Sequence, residues 1–259
     1  MFQLERQEKI LQYINEKKTV RTKELSERFD TSPVTIRADI NDLANRGLVI
    51  KSHGGALSLL NRISFEIPSV RKSVQDIEAK RLIGEMAAAY IQDNDVIILD
   101  AGTTTLEIAK RINKKDVTVI TNDIKIGEVL ADQGNVTLFM TGGMLMPSVY
   151  TLTGDETNAF LTRIKADKLF LGCDAIDFDW GISNRSIQEV SVKKAMIAAS
   201  KEVIAVASST KFHQQVFAFL CGLDEIDLLL TDHLKEDDRE KLSQHDVRGI
   251  TPNPPTDCD

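Results

Sequence analysis

The sequence has few cysteines and no long apolar run, and these absences exclude several classes of protein. Its three cysteines, Cys173, Cys221 and Cys258, lie far apart and form neither a disulfide framework nor a CxxC metal pair. We therefore expect reduced, unpaired thiols in a cytoplasm. No apolar run approaches the roughly 18 residues that a transmembrane helix needs, so we expect no membrane span. The first ten residues carry charge at once and lack the apolar segment of a signal peptide.

An excess of positive charge is also lacking, because the 259 residues carry a formal net charge of −7. That charge is unevenly spread along the chain. Residues 1–60 hold ten Lys and Arg against eight Asp and Glu, a balance of +2, and the remaining residues carry −9. Local patches decide where a polyanion docks. The acidity of the whole chain therefore does not exclude a nucleic-acid partner.

Residues 1–60 show the spacing of apolar residues that predicts three helices and a hairpin. The predicted elements are helices at 3–16, 22–29 and 33–45 and strands at 48–50 and 56–59. Ser32 is a good N-cap for the third helix, and Pro33 fits its first position. Gly47 suits the left-handed residue that follows such a helix.

Two short helices joined by a tight turn at 30–32 predict a helix-turn-helix, whose second helix enters the DNA major groove. Ile36, Ile40 and Leu43 form the buried stripe of that helix. The other face and the glycine turn of the hairpin supply the candidate DNA contacts, which are Ser32, Pro33, Thr35, Arg37, Ala38, Asn41, Lys51, His53 and Gly54. Arg37 can bind a guanine edge or a phosphate. A helical hairpin that packs on another protein is the alternative interpretation.

From residue 76 onward short apolar strands alternate with helices, which indicates an α/β domain with a mainly parallel sheet. The predicted strands are 96–99, 117–120, 136–140, 168–171, 203–207 and 228–230. The predicted helices include 82–91, 104–112 and 189–199. Residues 61–75 show no clear period and include Pro68. We therefore predict an N-terminal domain at 1–60, a linker at 61–75, an α/β domain at 76–250 and a frayed tail at 251–259.

The first of these strands ends at Asp100 and leads into a helix through Ala101, Gly102, Thr103, Thr104 and Thr105. Backbone N–H groups and hydroxyls in such a turn suit an anion, most naturally a phosphate. Ligands of α/β sheets usually lie at the carboxyl ends of the strands. A capped loop without a ligand is an equally open interpretation of this turn taken alone.

Polar groups follow further strands, and parallel strands bring their carboxyl ends to one edge of the sheet. These groups are Thr121, Asn122, Gly142, Gly143, Asp174, Asp177 and Lys211. Their convergence favours a binding site over ordinary loops. Glu189 and Lys193 lie four residues apart on a predicted helix, where an exposed ion pair is the alternative.

The segment TSPVTIRADINDLANRGLVIKSHGGA, residues 31–56, resembles the winged helix-turn-helix of the DeoR family of bacterial sugar-metabolism repressors. The resemblance rests on the S-x-x-T-I-R helix start, the Arg-Gly-Leu turn at 46–48 and the H-G-G-A wing at 53–56. One departure is Ala38, where the family often has a second arginine.

The rest of the chain resembles the C-terminal sensor domain of the same family, which is similar to the ribose-5-phosphate and glucosamine-6-phosphate isomerase folds. The matching residues are D-x-G-T-T from 100, T-N at 121–122, G-G at 142–143, Gly154, G-x-D-x-I-D at 172–177, Glu189 with Lys193, and S-x-K at 209–211. The resemblance implies that a phosphorylated sugar or polyol binds at these positions and acts as an inducer. The family often has Gly at the position of Ala175 and Asp at that of Ser208, which bears on the sugar phosphate that fits.

The sequence therefore predicts a cytoplasmic DNA-binding repressor of a sugar or polyol catabolic operon, and not an enzyme. Its expected partners are double-stranded operator DNA and a phosphorylated effector, with no metal and no cofactor. Helix-turn-helix proteins read paired half-sites, so we expect a homodimer or homotetramer whose arrangement the effector shifts. A sugar-phosphate isomerase with an accessory DNA-binding domain is one alternative, with Asp174, Asp177 or Glu189 as its base. A protein-interaction module is the other, and it would lack salt-dependent DNA binding.

Overall fold

The computed structural model describes residues 3–46, 48–52, 54–58, 69–147 and 149–252. Contacts divide the chain into two units, Met1–Arg71 and Lys72–Asp259, here called the N-terminal unit and the C-terminal unit. The predicted roles of Gly47 and His53, most of the predicted linker and most of the predicted tail lie outside the described residues.

The described residues of the N-terminal unit up to Ser58 form three helices and three short strands. They are α1 Gln3–Lys17, β1 Thr19–Arg21, α2 Thr22–Arg28, α3 Pro33–Asn45, β2 Val49–Ser52 and β3 Gly55–Ser58. The strands form an antiparallel sheet in the order β1-β3-β2. The predicted helices and hairpin are confirmed. Strand β1 escapes the sequence pattern because three residues are too few to show an alternating period.

Helix α3 begins where local chemistry predicts. The Ser32 hydroxyl accepts a hydrogen bond from Thr35 N at 3.2 Å, and Pro33 occupies the first turn. The apolar core of the unit includes Ile10, Ile14, Leu25, Ile36, Ile40 and Leu43. Asp39, which is 1% exposed, accepts a hydrogen bond from Arg6 Nε at 2.6 Å. This pair fastens α3 to α1, so the opposite face of α3 faces outward.

The C-terminal unit is built on seven strands: β4 Val96–Leu99, β5 Thr118–Thr121, β6 Thr137–Met140, β9 Ala166–Leu171, β12 Ser200–Val206, β14 Leu228–Leu230 and β15 Arg248–Ile250. They pair in parallel in the order β15-β14-β12-β9-β4-β5-β6. Two small antiparallel sheets join β7 Met144–Met146 to β8 Thr151–Thr153, and β10 Ala175–Asp177 to β11 Gly181–Asn184 and β13 Ala218–Cys221. The helices from residue 69 onward are α4 Ser69–Val74, α5 Ile77–Ala89, α6 Thr103–Ala109, α7 Ile124–Gln133, α8 Asp155–Leu161, α9 Ile187–Ala199 and α10 Glu236–Gln244.

Both faces of the parallel sheet are covered. Ile97 and Leu99 of β4 lie in a core with residues of α5, α6 and α7, whereas Ile98 lies in a second core with residues of α8, α9 and α10. Burial on both faces explains why these strands are continuous apolar runs in the sequence. The predicted α/β class with a mainly parallel sheet is confirmed.

The element bounds differ from the predictions mainly where segments are short or polar. The predicted helix 82–91 begins earlier, at Ile77, because its first turn is largely polar, and the predicted strand 203–207 begins at Ser200. Helix α4 lies in the predicted linker, since six residues show no period. None of the described helices combines the length and apolar character that crossing a membrane requires.

Candidate functional site

The outward face of α3 carries the predicted DNA contacts. Ser32, Pro33, Arg37, Ala38 and Asn41 are exposed, and Thr35 is half-buried. Val34 is 72% exposed. Sequence reasoning missed it, although it precedes Arg37 by three residues and Ala38 by four, which places it on the same face. An exposed valine can contact the methyl group of thymine, and the guanidinium can bind guanine or phosphate.

A hollow between α3 and the β2–β3 hairpin brings helix and hairpin contacts together. It is lined in part by Arg37, Asn41, Lys51 and Gly54. Gly54 has a φ of +83°, which favours glycine, and no described atom lies within 4 Å of an added Cβ. None of the described residues therefore blocks the close approach of another backbone to Gly54.

In the C-terminal unit, the turn between β4 and α6 is tied to the next strand. The amide of Gly102 donates to Asp123 Oδ2 at 3.1 Å, and Asp123 Oδ1 accepts from Lys125 N at 2.7 Å at the start of α7. Burial raises the pKa of Asp123 to about 6 despite these backbone donors. The Gly102 amide is therefore already bonded within the protein, so an anion at this turn needs other donors.

Beside this turn lies a depression, here called the strand-end hollow. Eight predicted effector contacts line it, namely Gly102, Thr103, Thr104, Thr105, Asp174, Glu189, Lys193 and Lys211. Lys72 and Asn184 line it too, and sequence reasoning missed both. Its volume of about 40 Å³ has room for a few water molecules. A sugar phosphate is larger than this volume, so part of it extends beyond the hollow unless lining side chains move.

Lys193 is the most buried cation of the strand-end hollow. Its Nζ contacts Asp100 Oδ2 and donates to the Gly172 carbonyl at 3.0 Å, with 3% of the residue exposed. Although burial lowers it, the charges of Asp100 and Glu189 raise the pKa of Lys193 above its ordinary value. Glu189 is only 7% exposed. The alternative of an exposed Glu189–Lys193 ion pair is wrong, because both residues lie on the buried face of α9.

Asp174 joins two further lysines of the hollow. Lys72 Nζ lies 2.9 Å from Asp174 Oδ1, and Arg185 N donates to Asp174 Oδ2 at 3.0 Å. Although burial raises it, the charges of Lys72 and Lys211 hold the pKa of Asp174 well below its ordinary value. Asp174 is therefore ionised and is a weak proton acceptor.

Asn184 supplies an acceptor that the protein leaves unsatisfied. The residue is 3% exposed, and its Oδ1 has no hydrogen-bond partner in the described part of the chain. Its Nδ2 lies 3.5 Å from Asp174 Oδ2. A buried acceptor without a partner is unfavourable, and a sugar hydroxyl is a suitable donor for it.

Seven predicted contacts are not among the residues that line the hollow: Asp100, Thr121, Asn122, Gly142, Gly143, Gly154 and Asp177. Thr121 Oγ1 donates to a carbonyl of β4 at 2.8 Å. Gly143 has a φ of +113°, and an added Cβ would lie 2.2 Å from Thr157 Oγ1. Asp177 Oδ1 accepts two N–H groups of the β10–β11 turn, each at 2.9 Å. Packing and turn formation thus account for these three residues.

Comparison with known proteins identifies relatives of this chain. Among solved structures, ribose 5-phosphate isomerase from Plasmodium falciparum aligns with a TM-score of 0.39 and 19% identity, over 51% of this chain and 52% of that one. The HTH-type transcriptional regulator GlpR of Haloferax volcanii is 32% identical over 96% of this chain and 98% of that protein. The putative aga operon transcriptional repressor of Escherichia coli O157:H7 is 33% identical, over 95% and 93%. Family models match residues 6–61, as a DeoR-like helix-turn-helix domain, and residues 75–233, as a DeoR C terminal sensor domain. The chain belongs to the DeoR family of transcriptional regulators.

Proposed function

We propose that the protein represses a sugar or polyol catabolic operon and that a phosphorylated sugar or polyol bound in the strand-end hollow controls it. The observation that carries this proposal is the meeting of Lys72, Lys193 and Lys211 with threonine hydroxyls at the carboxyl ends of parallel strands. Lysines and hydroxyls are the donors that bind phosphate. The unsatisfied Asn184 Oδ1 and the Glu189 carboxylate offer acceptors to sugar hydroxyls.

On the DNA side, we infer that α3 enters the major groove of the operator. Val34, Arg37 and Asn41 then face base edges, and Ser32 and Lys51 face phosphates. The protein works in the cytoplasm, where operator DNA lies. Binding that weakens with rising salt supports this assignment, and binding independent of salt would favour a protein-interaction module.

The test begins with a panel of glycerol 3-phosphate, a pentose 5-phosphate, a hexose 6-phosphate and inorganic phosphate. Trp180, the one tryptophan of the sequence, reports unfolding of the C-terminal unit by its fluorescence. A compound that binds the folded unit raises its stability, by about 2.7 kcal/mol at a hundredfold excess over Kd. Stabilising compounds are then added to a titration with operator DNA.

Two variants locate the effector in the hollow. Lys211→Ala removes a lining cation. Gly102→Val adds a Cβ 3.3 Å from Thr105 Oγ1. Both variants should bind operator DNA like wild type and keep it bound at effector concentrations that release wild type. Lys201→Ala is the control, because this exposed lysine pairs with Asp167 at the other end of the strands. If the effector releases operator DNA from Lys211→Ala and Gly102→Val as it does from wild type, the phosphate does not bind in the strand-end hollow.

The isomerase alternative needs a carboxylate base near the reacting carbon. The low pKa of Asp174, held by Lys72 and Lys211, makes that carboxylate a weak base, which speaks against turnover. Interconversion of aldose and ketose phosphates at enzyme-like rates, lost in Glu189→Gln or Asp174→Asn, would overturn the proposed role as a regulator.

We also propose that two copies associate through the β6–β7 edge. Strand β6 ends the parallel sheet, and its neighbourhood exposes Phe139, Met140, Met144 and Leu145 by 48%, 36%, 60% and 42%. Residues 133–154 contain no charged side chain. In a twofold contact the same patch meets itself, so an uncharged apolar patch avoids like-charge repulsion. An open, uncharged strand edge otherwise invites unspecific pairing.

The variant Phe139→Glu tests this surface. Phe217→Glu is its control, because Phe217 is another exposed phenylalanine, with 53% of the residue exposed. Sedimentation should give wild type and Phe217→Glu as dimers or larger assemblies and Phe139→Glu as monomers. The Phe139→Glu protein should also bind DNA that carries two half-sites no more tightly than DNA that carries one. An assembly unchanged by Phe139→Glu would refute this interface.

A further inference from the structure

Lys72 reaches the strand-end hollow from a part of the chain that neither matched family segment, 6–61 or 75–233, includes. It is the first residue of the C-terminal unit. Its Nζ pairs with Asp174 Oδ1 at 2.9 Å, and the two side chains are 25% and 7% exposed. A residue of the hollow thus stands where the chain from the DNA-binding helices enters this unit.

The residues after Lys72 are bonded to the same walls. The Lys72 carbonyl accepts a hydrogen bond from Thr103 Oγ1 at 3.5 Å, in the turn after β4. Asp76 Oδ2 accepts one from Thr210 Oγ1 at 2.7 Å, in the loop after β12. Asp76 also has a left-handed φ of +52°, which few residues other than glycine adopt. Segment 72–76, here called the connector, therefore contacts two lining residues of the hollow through Lys72, and through Asp76 it contacts Thr210, the neighbour of the lining residue Lys211.

Three lysines, Lys72, Lys193 and Lys211, meet two carboxylates in the lining of the strand-end hollow and Asp100 beneath it. Lys211 Nζ donates to the Cys173 carbonyl and forms no ion pair with the described residues, so it can bind a phosphate directly. A second lysine, for the other charge of a dianion, must be drawn from an existing ion pair. Lys193 is poorly suited, because it and Asp100 are 4% and 1% exposed, and separating them strands a buried carboxylate.

Lys72 is the lysine that can change partner. Its side chain is partly exposed, and Asp174 keeps the Arg185 amide at 3.0 Å and the nearby charge of Lys211 after losing it. A phosphomonoester carries up to about two charges and three strong acceptor oxygens, so it competes well with one carboxylate. The same phosphate would attract the Thr103 hydroxyl away from the Lys72 carbonyl.

We propose that Lys72 binds the phosphate of the effector. Its exchange from Asp174 to that phosphate shifts the connector, and this shift changes the affinity of the N-terminal unit for DNA. The inference rests on the proposed function, in which a phosphomonoester enters this hollow. Lys211 then contributes affinity for the effector, whereas Lys72 contributes both affinity and coupling. Coupling is the ratio of the DNA Kd with saturating effector to the DNA Kd without it.

The test compares Lys72→Met with Lys168→Met. Lys168 also pairs with an aspartate of the C-terminal unit, Asp95, at 2.6 Å, and both side chains are 12% exposed, but this pair lies at the amino ends of β4 and β9. The probe is the member of the phosphate-ester panel that most stabilises wild type. Saturation of each variant is verified by the thermal shift of Trp180 fluorescence, and the coupling ratio is measured at saturation.

Wild type and Lys168→Met should share one coupling ratio. Lys72→Met should bind the phosphate ester about tenfold more weakly and, at saturation, show a ratio close to one. Lys211→Ala should bind it weakly but keep the wild-type ratio at saturation, and Lys72→Arg should restore most of the coupling. The inference is overturned if Lys72→Met, saturated with the phosphate ester, keeps the wild-type coupling ratio. It is also overturned if Lys168→Met loses as much coupling as Lys72→Met. Absence of any response in wild type instead overturns the proposed function itself, before any variant is compared.

Discussion

Replacement of Lys193 by methionine tests how the strand-end hollow holds its charges. Methionine fills nearly the same volume as the lysine stem, so Lys193→Met removes the charge without opening a cavity. It leaves the Asp100 carboxylate, 1% exposed, with the Gly172 amide at 2.9 Å but without its cation. Removing one partner of a buried ion pair typically destabilises a protein by about 3–5 kcal/mol.

In wild type, against the effect of burial, the charges of Asp100 and Glu189 raise the pKa of Lys193 above its ordinary value. Its contribution is fully present below the unfolded lysine value and is lost only as the pH rises through the folded value.

Urea unfolding followed by Trp180 fluorescence measures these free energies for the C-terminal unit alone. The double variant Asp100→Asn/Lys193→Met should recover at least about 2 kcal/mol relative to the sum of the single changes, because no lone charge remains buried. Lys201→Met is the control, since its side chain is 73% exposed, and it should change stability by less than about 1 kcal/mol. A Lys193→Met protein within 1 kcal/mol of wild type, or an additive double variant, would refute the reasoning.

Three further predictions concern the DNA contacts and Lys80 of α5, whose Nζ donates to the Gln75 carbonyl of the connector at 2.5 Å. Arg37→Ala should weaken operator binding by about 1–3 kcal/mol with an unchanged fold, whereas Lys9→Ala on α1 should not, and equal affinities in a DNA titration would contradict the assignment of α3. Lys51→Ala should lower the slope of log Kd against log salt concentration by about one unit, for specific and non-specific DNA alike. An unchanged slope would contradict a phosphate contact by Lys51. Burial and the charge of Lys211 lower the pKa of Lys80 to about 8. Its contribution to stability is therefore present above the unfolded value and lost as the pH falls through 8. Between pH 7.5 and 10 wild type should gain up to about 3 kcal/mol over Lys80→Met in urea unfolding, and parallel pH curves would contradict this.

The recognition helix could be predicted from the sequence because its determinants are local. Ser32 caps it, Pro33 starts it, and its apolar residues repeat at helical spacing, so the predicted bounds 33–45 coincide with α3. The same spacing separates its buried face from its outward face. Only Val34 was left out, because an exposed apolar residue does not stand out among polar neighbours, although its spacing to Arg37 could have identified it.

The strand-end hollow could be predicted only in part, because its electrostatics depend on contacts between distant residues. The turn at 102–105 follows a clear apolar strand, so its position at the sheet edge could be inferred. The partners of the lysines could not, since Lys193 meets Asp100 across 93 residues and Lys72 meets Asp174 across 102. Helix α4 is also too short to reveal that Lys72 belongs to the hollow. These long-range pairs engage Lys193 and Lys72, whereas Lys211 donates to the Cys173 carbonyl. In the proposed site, a phosphate that takes Lys72 breaks an internal ion pair, and such an exchange couples ligand binding to a movement of the chain.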